Sequence, residues 1–543
     1  MKSAAKIPSK PGPEAATAPA PGSQSFAKAV ALHLEGKQSE ALAELEQTLS
    51  QKKEELSAPQ LAEIYSALGY IRFELKQFEE AAEAYTNLLE VDPRHPSACF
   101  NLALCWEALG SWQAAADQFE RALAIDPDRK EAHLGLGACN LHLGATRQAL
   151  ESYERALRKD PELEAAQFGK AVALQLQKKY SEAAEVYRRI LDKNPGSEEC
   201  LSNAISVSGQ LQDYASVKEF AARLLAIRSD AAVALEGLAG AAFAAGDHQE
   251  AAERCAALVK AAPDCFEGWF NLGVACQAVQ RHEEAATAYA QAARLRPDDP
   301  ELHVNLGIVY QETGDLKHSQ EAYQKALQLA PDSTTALWNL ALLVEKQGQT
   351  KEAQQLYARL AEKSPDWEDA RFRLGCTRLE LADYRGAADA FEACLRKREN
   401  WPGARLNAAI AHWKLGDLDR AWSDFEKTAA LQPDSVPALR GLAGIAVERN
   451  ALPQALELHN KLIAMGERTS ELLYNTGVLL QKNGQDEKAV PLYEEALGCS
   501  PDFPEALLNL GIALQALGRD AEARVYWRKA IEADPELAHG YFR

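Results

Sequence analysis

The chain has 543 residues, 47 % hydrophobic and 25 % charged, with a formal net charge of −20 and a pI near 5.2. Such acidity disfavours nucleic acid, whose phosphates are bound by Lys and Arg, and anionic membrane surfaces. No apolar run is long enough to span a bilayer as a helix. Ten cysteines without a CxxC pair read as buried free thiols and not as a zinc or redox motif, which suits a reducing, cytoplasmic location.

Residues 1–25 are rich in Pro and Ala and lack the apolar segment of a secretory signal, so they are expected to form a disordered tail. Residues 26–61 read as a diverged first helical hairpin. Gly36, Ala41 and Leu45 keep part of a later frame, and extra residues follow near Lys52–Ser57. From Ala62 to Leu537 a 34-residue period then runs without insertion or deletion, giving fourteen units. Alanine marks it at Ala81, Ala115 and Ala149, proline at Pro93, Pro127 and Pro161, and glycine at Gly69, Gly137 and Gly273. A fixed period of this length means stacked copies of one supersecondary unit.

Each unit reads as two helices. Leu302, Leu306, Val309 and Tyr310 recur at helical spacing, and Gly314 ends that helix by accepting a left-handed cap. Tyr323, Ala326 and Leu327 mark the inner side of the second helix, and Pro331 stands where the helix cannot continue. Counting the diverged hairpin as repeat one, repeat six (Glu198–Ala231) has Val217 and Ser229 where Ala and Pro belong. Repeat thirteen (Val436–Thr469) has His459 and Glu467 at the aromatic and Pro positions. Both are expected points of bending or weaker stability. Residues 538–543 form a short remnant. They leave the last helix, with Val525, Tyr526, Trp527 and Ile531, little chain to cover it. Three readings stay open there: docking or self-association through that helix, continuation of the chain in a longer parent, or solubilisation of the end by Arg519, Arg524 and Arg528.

Repeat eight carries Trp269, Leu272, Gly273, Ala285, Tyr289, Ala292 and Pro297 at positions 4, 7, 8, 20, 24, 27 and 32 of the unit. This pattern resembles the tetratricopeptide repeat (TPR) family. The resemblance implies an all-α fold, an α-solenoid in which about 14–15 antiparallel helix pairs stack into a right-handed superhelix. It also implies that the first helix of each pair lines a groove for a protein or peptide partner.

Position 6 of that helix holds Asn101, Asn203, Asn271, Asn305, Asn339, Asn407, Asn475 and Asn509. Asparagine is a poor helix-interior residue, yet its amide donates and accepts at once and so suits the backbone of an extended peptide. The row resembles the asparagine ladder in the repeat arm of O-linked N-acetylglucosamine transferases. The competing reading is family consensus, since Asn before Leu-Gly is common in such repeats. Position 5 adds Phe270, Trp338, Phe372 and Tyr474 as candidate apolar anchors, or as core between repeats. Gln175, Gln277, Gln311, Gln481 and Gln515 occupy position 12. Arg373, Arg405 and Arg440 form a local basic spot suited to an acidic ligand, unless nearby acids pair with it.

The sequence contains no phosphate-binding loop, nucleophile elbow or zinc-protease motif, and no cofactor or metal is expected. The reading is therefore a non-catalytic scaffold for an extended partner segment. Its alternatives are the substrate-recruiting arm of a glycosyltransferase whose catalytic part is separate, and a self-assembling structural protein.

Overall fold

The computed structural model describes residues 21–536. The described residues form thirty α-helices and one short 3-10 turn, with no strand. The fold is all-α, as the periodicity predicts. Residues 1–20 and 537–543, which hold most of the expected tail and the whole C-terminal remnant, lie outside the described residues.

Two differences appear at the N-terminal end. The first helix runs Pro21–Leu34, so residues 21–25 are helical and not tail. Pro21 fits a helix start, where no backbone donor is needed, and Ala29, 1 % exposed, holds the helix down. A second helix, Gln38–Lys52, completes the pair, with Gly36 at φ 78° in the turn. The extra residues of this region form the 3-10 turn Lys53–Glu55. Ser57 and Gln60 then make a reciprocal capping box at the start of the helix Ala58–Glu74.

The chain divides into two compact units, up to Ala288 and from Tyr289 onward, the boundary falling inside the helix His282–Leu295. Within each unit every repeat is a helical hairpin of one design. The first helix ends on a residue with positive φ, Gly in most repeats, as at Gly314 (φ 81°). The second helix follows at once. In five repeats it is capped by an aspartate, among them Asp213, Asp315 and Asp417, whose side chains accept from the backbone N–H groups of Ser216, His318 and Arg420.

The packing explains the small residues. Tyr85, Tyr153, Tyr187, Tyr323, Tyr357 and Tyr493 are fully buried between the helices of their own hairpins. A Cβ on Gly307 would lie 2.4 Å from the Tyr323 ring, so glycine there sets the distance between the two helices. Irregular repeats keep this plan. Val217 is 1 % exposed, and His459 takes the aromatic position at 6 % exposure, hydrogen-bonded to Thr476 Oγ1 at 2.9 Å. The bending or weakening expected there is not visible as a break in either helix.

First helices of successive repeats touch each other. Glu198–Gln210 meets Ala232–Ala244 in one unit, and Ser470–Lys482 meets Pro504–Ala516 in the other. Second helices make no comparable contact with one another among the described residues. Each stack therefore curves locally with its first helices on the inner side.

Candidate peptide-binding surface

The inner face follows from helical spacing. In repeat ten, Ala336, Leu337, Leu340, Ala341, Leu343 and Val344 are buried. Thr335, Trp338, Asn339, Leu342, Glu345 and Lys346 on the same helix stay accessible. These six are positions 2, 5, 6, 9, 12 and 13, the positions that the family resemblance assigns to a groove.

The asparagines on this face do not share one fate. In the first unit Asn101 is 1 % exposed, so it is no groove contact. Phe100, Leu104 and Cys105 on that helix are buried with it. Asn203 and Asn271 are half-buried, with no hydrogen bond to a described residue. In the second unit the same holds for Asn305 and Asn339, and Asn475 is exposed. Asn407 Nδ2 instead donates to Cys376 Sγ at 3.7 Å, and Asn509 Nδ2 to Tyr474 Oη at 3.0 Å. Each of these two amides reaches back to the first helix of the preceding repeat. Where position 6 is glycine the reason is packing: a Cβ on Gly441 would lie 2.4 Å from the Phe425 ring of the preceding repeat.

The aromatic residues are engaged as well. Trp338 stacks on Trp367 (centroids 4.9 Å apart), Phe372 on Trp401 (4.8 Å) and Phe270 on Phe266 (5.9 Å). Tyr474 leans on Phe503 at 4.9 Å. Trp338, Phe372 and Tyr474 also meet the buried ring of their own hairpin, Tyr357, Phe391 and Tyr493. They are half-buried ring pairs presenting one side, not free anchors. Trp367, Trp401 and Phe503 are the partners that sequence reading missed. The available signal was an aromatic residue at the last position of the repeat.

The position-12 amides also work inward. The buried Tyr187, Tyr323 and Tyr493 hydroxyls donate to Gln175, Gln311 and Gln481 at 2.8, 3.5 and 2.5 Å. Tyr357 donates to Glu345 at 2.6 Å. Burial raises all four phenols, Tyr323 to about 12, so they remain neutral donors.

The expected basic spot is internally neutralised. Arg405 is 6 % exposed, 3.0 Å from Asp424 and 2.8 Å from the Glu399 carbonyl, and so cannot meet a ligand. Arg373 pairs with Glu345 at 3.1 Å, and Arg440 pairs with Glu467. Beside Arg405, buried His412 lies 3.2 Å from both Asp424 and Glu392, and its hydrogen bond to Asp424 raises its pKa. No group of three His, Cys, Asp or Glu side chains among the described residues is placed to hold a metal ion. No described helix is long and apolar enough to cross a membrane. At the far end Val525 is 49 % exposed and Trp527 half-buried.

Stacked two-helix repeats with an accessible inner helix face define a helical-repeat protein. Tetratricopeptide repeat family models match residues 66–130, 141–198, 372–422 and 406–471. Others match 107–167, 298–362, 470–503 and 504–537, and a TPR repeat model matches 278–314. Together the matches span more than half of the sequence, and the chain belongs to the tetratricopeptide repeat family. No curated protein matches it. Among solved structures it is similar to a tetratricopeptide repeat protein from Parabacteroides merdae ATCC 43184, with 21 % identity, 46 % of this chain and 98 % of that chain covered, and a TM-score of 0.31. MamA shares 22 % identity over 32 % of this chain and 94 % of its own, with a TM-score of 0.29. The APC/C hetero-tetramer Cut9–Hcn1 shares 13 % identity over 83 % and 96 %, also with a TM-score of 0.29.

Proposed function

We propose that this protein is a non-catalytic scaffold whose inner helix face binds an extended segment of a partner protein. Its fold is the one typical of protein–protein interaction scaffolds. The observation that carries the reading is the set of amides without internal partners, Asn305, Asn339 and Asn475, on a face shared with half-exposed Trp338, Ile308 and Leu342. A half-buried amide without a bond is a standing offer of a donor and an acceptor. Arg373 and Arg440 are left as rim contacts already paired to acids, and Arg405 is excluded.

The test is recovery of partners from lysate by the wild type and by an Asn305→Ala, Asn339→Ala, Asn475→Ala variant of equal helicity. A partner lost by the folded variant supports the groove. Equal recovery refutes the role of these amides.

A further inference from the structure

In the first unit the inner face differs from that of the second in its charge. At the six inner positions of the repeats from Ala62 to Ala278 the fully charged residues are all glutamates, and none is Lys or Arg. Lys and Arg supply 59 of the 543 residues, so roughly four or five would be expected in that many positions by composition alone. The same positions of the second unit do carry bases, Lys346, Arg373, Lys414, Arg440 and Lys482. Glu199 and Glu236 are exposed and have no ion pair, and Glu131 is half-buried. The face between these acids is apolar and open: Val172, Val233, Phe243 and Val274 are half-buried, and Leu176 is 56 % exposed. Apart from the adjoining backbone of their own helices, no atom lies within 4 Å of a Cβ built on Gly209 or Gly240, so a ligand backbone can approach both. Half-buried Asn203 and Asn271 lie on the same face.

We infer that the inner face of the first unit takes an extended peptide segment bearing Lys or Arg between apolar residues. This rests on the scaffold reading above and adds the chemistry of the partner. The apolar strip supplies burial, the amides meet backbone, and Glu199 and Glu236, exposed and without an ion pair, select a basic sequence by complementarity. An acidic segment would be repelled by the same residues.

The probes are three labelled 16-residue peptides with identical apolar positions and Lys, Gln or Glu at the rest. Binding to the full chain is read by fluorescence anisotropy. The Lys peptide is expected to bind at least ten-fold more tightly than the Gln peptide, and the Glu peptide not at all. A Glu199→Gln, Glu236→Gln variant should weaken Lys-peptide binding several-fold. A Glu185→Gln, Glu219→Gln variant, which removes two charges from second helices, should not. Equal loss in both variants would reduce the effect to general attraction by an acidic protein and overturn the proposal. Equal binding of all three peptides would overturn the basic partner but leave the groove standing. Binding of none would overturn both.

Discussion

Position 15 of every strict repeat adopts positive φ, but six of these residues are not glycine: Lys76, Lys178, Gln212, Gln280, Ala382 and Asn450. An L-residue there costs about 1–2 kcal/mol relative to a right-handed conformation. Glycine avoids that cost but loses about 0.5–1 kcal/mol more entropy on folding. Lys178, Gln212 and Ala382 are exposed at φ 60°, 57° and 59°, so replacing them forfeits no packing. Each change to glycine should therefore gain about 0.5–1 kcal/mol. Stability in a stack is local, so hydrogen exchange is the assay. In Ala382→Gly the reporter is the Asp383 amide, which donates to the Arg378 carbonyl at 2.8 Å across the turn. Its exchange should slow by roughly two- to five-fold, and the corresponding turn amides should respond likewise in Lys178→Gly and Gln212→Gly. The reverse change, Gly314→Ala, should speed exchange at Asp315. Unchanged exchange in both directions would refute the view that these turns store strain.

His412 touches Asp424 and Glu392, with Arg405 and Arg420 on the same acids. Its folded pKa lies above the ordinary 6.5, so its contribution is full below 6.5 and fades as pH rises through the folded value. His412→Gln should therefore destabilise more at pH 6 than at pH 9 in urea titrations, and an equal loss at both would contradict the assignment. Burial raises the thiols of Cys105, Cys139, Cys200 and Cys255 to about 12, while Cys499 is exposed. A thiol reagent at pH 8 should label Cys499 in the native protein and those four only on unfolding. Gln481→Leu leaves the buried Tyr493 hydroxyl without its acceptor and should cost about 1–3 kcal/mol in denaturant unfolding, which Tyr493→Phe in the same background should largely restore.

The helices and their turns were legible because each has a local cause repeated at 34 residues: Ala and Gly where helices meet, a left-handed residue between them, Pro after them. What periodicity could not convey is the direction in which a polar side chain spends its bonds. Arg405 groups with Arg373 as a basic spot in sequence, yet it stands at position 4 and not 6 of its repeat, and its guanidinium is buried against Asp424 and the Glu399 carbonyl. That depends on Asp424, nineteen residues away on the facing helix. The aromatic stacks were missed for a similar reason. Trp367 and Trp401 stand in the connection between repeats, outside either helix of the pair, but each lies against the position-5 ring of its own repeat.

The two amide rows divide their work by side-chain length. A glutamine at position 12 reaches the buried tyrosine of its own hairpin, as Gln175, Gln311 and Gln481 do. An asparagine at position 6 is shorter and finds an internal partner only where the preceding repeat brings one close, as Cys376 does for Asn407 and Tyr474 for Asn509. Where the preceding repeat offers none, the amide remains unspent beside an apolar strip. Tyr474→Phe should therefore leave Asn509 as unpaired as Asn339 already is, at little cost in stability because the amide stays accessible to water. The asparagine row is thus not uniform: whether each amide is already hydrogen-bonded is decided by the repeat before it.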